Sequence, residues 1–149
     1  MSNLFPTVRW YADEGAIMPE CKPDRAHTWD AGLDLKSPVL ADIPPQTSCV
    51  IDTGIHIEIP RGYAGMLIAK SGLNVKHNVL STGLIDSGYQ GSIKVNLYNH
   101  DPNKCITILP GDKISQLVIF PVVLPNLVEC DGFETKTERG SNGFGSSGR

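Results

Sequence analysis

The chain has 149 residues, 40% of them hydrophobic and 19% charged, with a formal net charge of −3. That length suits one domain with a core of its own, and an acidic balance without a basic stripe argues against non-specific nucleic-acid binding. No stretch approaches the apolar length of a membrane span and no basic-then-apolar leader opens the chain, so the expected setting is the cytoplasm, of a cell or of an infected host.

Fifteen glycines and eleven prolines punctuate the chain too often for long helices. Residues 13–29, with prolines and mixed charge, read as a surface loop without an assigned purpose. Next comes Ala31-Gly32-Leu33-Asp34-Leu35, an acid between apolar neighbours at a strand start. Ile55, Ile57 and Ile59 alternate with His56 and Glu58 up to Pro60, the period of a half-buried strand. Residues 66–69 are more continuously apolar and predict a strand buried on both faces. From 71 to about 80 the mixed spacing of Leu73, Lys76, His77 and Leu80 predicts one short helix, with Ser71 near its start.

Asp86-Ser87-Gly88 then reads as the turn of a β-hairpin between apolar strands. Ile93, Val95 and Leu97 alternate with Lys94 and Asn96, and residues 114–120 form a further β-branched run stopped by Pro121. After Gly132 the composition turns polar, which predicts a domain over 1–132 and a flexible arm over 133–149. Many short strands between turn signals indicate an all-β barrel, sandwich or jelly roll. Cys21, Cys49, Cys105 and Cys130 lie far apart, and His27, His56, His77 and His100 are scattered. Neither a disulfide framework nor a protein-built metal site is expected.

Five clusters carry possible chemistry, and each has a plain structural reading beside it. Asp34 is by itself a turn or cap residue. Lys70-Ser71-Gly72 is not a P-loop, because Ala64 and Ala69 stand where its glycines belong. A cation and a hydroxyl at a helix start suit a phosphate as well as they suit capping. In Gly83-Leu84-Ile85-Asp86-Ser87-Gly88-Tyr89, a carboxylate fixed at the turn could serve as a general base on water while the tyrosine ring packs on a sugar. Gln116, in Pro110-Gly111-Asp112-Lys113-Ile114-Ser115-Gln116, could aim an amide at an anion or simply line a polar strand face. Residues 139–149 hold four glycines and three serines around Phe144, with Arg139 and Arg149 at the ends. Alone this is a disordered tail; against a partner site it can wrap an anion and cover a ring.

Taken together, the order and spacing of these clusters from Ala31 to Gly148 resemble the five motifs of the homotrimeric dUTP pyrophosphatase (dUTPase) family. The resemblance implies a distorted jelly-roll β-barrel, a homotrimer with shared active sites, and an arm reaching another subunit. It implies hydrolysis of dUTP to dUMP and pyrophosphate, with Asp86 activating the water that attacks the α-phosphorus. The backbone of Gly83, Leu84 and Ile85 would read uracil, and Tyr89 would stack under the deoxyribose. Lys70, Ser71, Gly72 and Gln116 would hold the phosphates, while Arg139, Phe144, Gly145 and Ser146 would close over the substrate. Mg2+ would be held chiefly by substrate phosphates and water, with Asp34 in its outer shell. One departure is Lys70, where the family carries arginine; lysine keeps the charge and gives up the bidentate fork. Two alternatives follow from the same resemblance: a dCTP deaminase of related fold, which lacks such an arm, and a nucleotide-binding regulatory trimer.

Overall fold

Alternating apolar residues make the strands, and their inward-facing sets meet in one core. The computed structural model describes residues 6–14 and 23–141. In chain order they form β1 (Arg9–Ala12), β2 (Gly32–Lys36), β3 (Ala41–Ile43), β4 (Ser48–Asp52), β5 (Ile55–Glu58) and β6 (Tyr63–Ala69). Helix α1 (Ser71–His77) follows, then β7 (Val79–Leu80), β8 (Thr82–Asp86), β9 (Lys94–Asn99), β10 (Ile106–Ile108) and β11 (Lys113–Pro121). The larger sheets run β2-β11-β6-β8 and β4-β9-β7, with the pairs β1-β5 and β3-β10 beside them. All pairings are antiparallel, and the arrangement is a distorted jelly-roll barrel.

Leu35, Ile43, Ile51, Ile93, Leu97, Ile108, Ile114 and Leu117 are fully buried at its centre. Each such side chain contributes roughly 1.5–3 kcal/mol relative to exposure. The buried polar groups are satisfied: Asn99 Nδ2 donates to the carbonyls of Ile43, Pro44 and Lys104, while its Oδ1 accepts from the Asp101 amide. One side chain thereby ties β3, β9 and the approach to β10 together.

Three sequence expectations need correction. The helix stops at His77, because Asn78 adopts the left-handed conformation (φ 54°) and its amide closes on Asn74 and Leu73. β6 is buried on one face only: Leu67 is 3% exposed, whereas Met66 and Ile68 are 40% and 39% exposed. The turn after Asp86 does not close a hairpin ladder, since β8 pairs with β6 while β9 pairs with β4 and β7. The cause lies at Ile93, whose amide donates to the Ile55 carbonyl (2.8 Å) and whose carbonyl accepts from Thr53 Oγ1 (2.7 Å), drawing the chain into the second sheet. At the end of β11 the Val122 amide bonds the Gly62 carbonyl, and residues 123–141 beyond it are exposed.

Candidate active site

The outward face of the sheet β2-β11-β6-β8 carries most of the predicted site residues. Side chains alternate across a strand, and the core takes Leu67, Leu117 and Leu35. The opposite face therefore holds Gln116 and Val118 of β11, Met66 and Ile68 of β6, and Thr82, Leu84 and Asp86 of β8. Register places Asp34, Gln116, Ile68 and Thr82 in one transverse row, and Phe120, Ala64 and Asp86 in another. The two rows lie four residues apart along the strands, about 13 Å, and Gln116 and Asp86 are two strands apart, about 10 Å. The face thus has two ends.

At the first end Asp34 is buried, 3% exposed, beneath two lysines. Lys70 Nζ donates to its Oδ1 at 2.7 Å, and Lys113 Nζ lies 2.6 Å from its Oδ2. Burial alone would raise the Asp34 pKa; the hydrogen bonds from Lys113 and Lys70 outweigh it and hold the carboxyl below its ordinary range. The same contact with Asp34 raises Lys113. Gln116 lies across Gly32, where a β-carbon would come within 2.5 Å of its Oε1, so the glycine makes room for the amide. Gln116 Nε2 points toward the Ala69 carbonyl, 3.5 Å away. Ser71 and Gly72 follow directly at the exposed start of α1, with open space above Gly72. An open cleft of about 660 Å3 runs from Lys70 and Gly72 past Lys76, Lys104 and Lys113. Asp34, Lys70, Ser71, Gly72 and Gln116 are therefore neighbours, and Lys113 joins them as a charge that motif spacing did not single out.

At the second end β8 is an edge strand, bonded to β6 on one side only. Because β9 diverges, the other edge of Gly83, Leu84 and Ile85 has no partner ladder among the described residues. Asp86 ends β8, exposed, and its carbonyl accepts from the Tyr89 amide (3.0 Å) in a tight turn. Tyr89 is held in orientation: its hydroxyl donates to the Ser92 carbonyl at 2.9 Å, and its ring lies across Gly91. A β-carbon at Gly91 would sit 2.4 Å from that hydroxyl oxygen and 2.7 Å from Cζ. Ser92 Oγ in turn donates to Asp52, which also caps the Gly54 amide. Asp52 went unnoticed as a site residue, since no local pattern links it to Tyr89.

Arg139 is exposed beside a short turn in which the Gly140 amide bonds the Thr137 carbonyl at 3.1 Å. Phe144, Gly145 and Ser146 lie outside the described residues.

With these two ends in view, comparison with known proteins decides the family. The dUTPase family model matches residues 20–148. The chain belongs to the dUTPase family. Named relatives include the deoxyuridine 5'-triphosphate nucleotidohydrolases of Mycolicibacterium vanbaalenii, 43% identical over 85% of this chain and 86% of its own length, and of Mycobacterium marinum, 40% identical over 99% and 97%. Among solved structures, the Staphylococcus bacteriophage 80alpha dUTPase with dUPNHPP superposes with a TM-score of 0.86 at 31% identity, covering 97% of this chain and 100% of its own. A dUTPase from phage phi11 of S. aureus, described with a structural Mg(II) ion, gives 0.76 at 29% over 87% and 100%.

Proposed function

We propose that the protein hydrolyses dUTP to dUMP and pyrophosphate, with Asp86 orienting and deprotonating the water that attacks the α-phosphorus. The observation that carries this is the pairing of an exposed carboxylate, a free strand edge and a clamped tyrosine at one end of the sheet face. Unpaired backbone groups along Gly83, Leu84 and Ile85 suit the donor and acceptor edge of uracil. A backbone edge is also rigid enough to reject an added methyl, which a soft apolar pocket discriminates by only ~1–3 kcal/mol. Tyr89 supplies a flat support for the deoxyribose.

The phosphate-binding role falls to Lys70, Ser71, Gly72 and Gln116, with Lys113 adding charge. Phosphoryl transfer needs positioning and charge neutralisation rather than covalent chemistry. Because the two ends lie about 13 Å apart along and about 10 Å across the strands of one face, we assign them to two different substrates. Each end would instead meet the opposite end of another copy, which supports a homotrimer with shared sites. Exposed Met66, Ile68 and Leu84 between the ends, and Val123, Leu124, Leu127 and Val128 on the segment that follows β11, are the apolar surface such an assembly would cover. Arg139, Phe144, Gly145 and Ser146 then complete the site as a lid carried by that arm.

No group of three or more His, Cys, Asp or Glu side chains among the described residues is arranged to hold a metal. The donor set fits Mg2+ held by substrate phosphates and water, because Mg2+ keeps much of its hydration. Each Asp34 oxygen keeps a lone pair beyond its lysine for an outer-shell water. When bound, Mg2+ would offset charge on the triphosphate.

Product analysis tests the assignment: incubation with dUTP and Mg2+ yields dUMP and pyrophosphate in equal amounts, and dCTP yields no ammonia. Ammonia release from dCTP, or inorganic phosphate as the first product from dUTP, would overturn it.

A further inference from the structure

The turn that carries Tyr89 is tied down from behind by a histidine. His56 of β5 is largely buried, its side chain 14% exposed, and both ring nitrogens meet oxygens that can only accept. Nδ1 lies 2.8 Å from the Gln90 carbonyl, and Nε2 lies 2.9 Å from Asp13 Oδ1. A neutral imidazole has one N–H and would leave one of these contacts lone pair against lone pair; only the imidazolium donates to both.

The surroundings favour that charged form. Tyr11 of β1 stacks on the ring at 4.3 Å and 7°, a geometry in which the aromatic face attracts a cation. The groups packed around the ring are Asp13 and Tyr11 from the β1 segment, Asp52 at the end of β4 and the Gln90 carbonyl, with the Arg9–Glu58 ion pair alongside. The contact with Gln90, against desolvation and with help from Asp13 and Asp52, holds the His56 pKa above 6.5.

His56 also closes a circuit around Tyr89. From Gln90 the contacts pass through His56 to Asp13, whose amide bonds the Gly54 carbonyl at 3.0 Å. Gly54 is capped by Asp52, Asp52 receives Ser92 Oγ, and the Ser92 carbonyl receives the Tyr89 hydroxyl. The turn is anchored on both sides of the tyrosine.

We propose that His56 is a positioning residue for the nucleoside: as a doubly donating imidazolium it holds the Tyr89–Gln90 turn against β1, and losing its proton loosens the sugar platform. The inference rests on the dUTP reading for its kinetic consequence but not for the coupling itself. A raised folded-state pKa means the tie is complete below the unfolded value near 6.5 and is lost as pH rises through the folded value. Exchanging a charge-assisted bond for a neutral one then raises KM for dUTP about fivefold across that step, with kcat little changed.

The test joins NMR and kinetics on the full chain. Without substrate, the His56 ring and the Tyr89, Gln90 and Ser92 amides are titrated together by pH. The expected result is one shared midpoint, shifted to lower pH in Asp13→Asn, a substitution at an exposed carboxylate. In dUTP assays the KM step follows that midpoint in both proteins and disappears in His56→Gln. Amide shifts that ignore the ring titration, or a KM step that survives unchanged in His56→Gln, would overturn the proposal. If dUTP were not turned over, the assigned activity would fail while the shared midpoint still decided the coupling.

Discussion

The two ends of the sheet face, which we assign to the phosphates and to the nucleoside, are built by different means. Around Asp34 the structure relies on charge: a buried carboxylate steadies two lysines that stay 25% and 42% exposed, reaching toward an open cleft. Around Tyr89 it relies on backbone geometry: a free strand edge, a tight turn, a glycine under the ring and hydrogen bonds to Ser92. The first arrangement suits an anion bound by attraction and shared with solvent. The second suits a ligand selected by shape, since neither the edge of β8 nor the ring over Gly91 can yield far. Affinity for phosphate and choice of nucleoside are thereby separable, and substitutions at the two ends should fail differently.

The largest effect is expected at the point where the nucleoside end meets the chemistry. Asp86→Asn keeps the shape of the turn and removes the base, so kcat should fall about 10²–10⁴-fold with little change in folding. Steady-state kinetics with dUTP checks it; a loss confined to KM would assign Asp86 to binding instead.

Next in size is the charged end. Asp34→Asn leaves Lys70 and Lys113 close together without their counter-ion, and should lower stability by about 2–3 kcal/mol, discounted from the fully buried case because both lysines reach solvent. The pH dependence has a definite sign. Since the folded-state pKa of Asp34 lies below its ordinary 3.8, its contribution is present above that value and lost as pH falls through the folded value. Urea unfolding of both proteins should show a gap at pH 7 that narrows in strong acid; a gap independent of pH would mean that packing rather than charge was lost.

A smaller effect tests the shape-based end without touching a charge. Gly91→Ala drives a β-carbon into the Tyr89 ring; because that ring is 42% exposed and outside the core, its displacement should change the unfolding free energy by less than ~1 kcal/mol. The displaced platform should still lower kcat/KM for dUTP about tenfold, or ~1.4 kcal/mol. A stability loss as large as the activity loss would show the ring to be part of the core.

Legibility in the sequence followed the same division. Asp34, Lys70, Gln116, Asp86 and Tyr89 stood in clusters that were ambiguous one by one and pointed to chemistry only through their order along the chain, whereas the all-β class was legible in period-2 runs such as Ile55, Ile57 and Ile59. What stayed hidden was long-range. That β8 and β9 part company depends on Ile93 bonding Ile55, a contact between residues 38 positions apart that no hairpin signal encodes. The outward face of β6 was misjudged because Met66 and Ile68 are as apolar as core residues, and periodicity does not distinguish a core from an exposed apolar face. Lys113 and Gly91 acquire meaning only from the side chains they meet.

The smallest predicted effect separates the two ends most finely. Lys70 occupies the place where the family carries arginine, and its ammonium is already committed to Asp34 Oδ1, with Lys113 on the other oxygen. An arginine there could take both Asp34 oxygens through its planar fork, displacing Lys113 and freeing that charge for a phosphate. Positive charge near the cleft is conserved, merely redistributed between two side chains. Lys70→Arg should therefore leave kcat unchanged and kcat/KM equal or up to about twofold higher, through a lower KM. The lysine and the pair Lys70–Lys113 would then be interchangeable with one arginine as a device for holding Asp34. A loss beyond about tenfold would instead show that the ammonium of Lys70 is required as a compact donor, and that the charged end is as exacting in shape as the end that holds Tyr89.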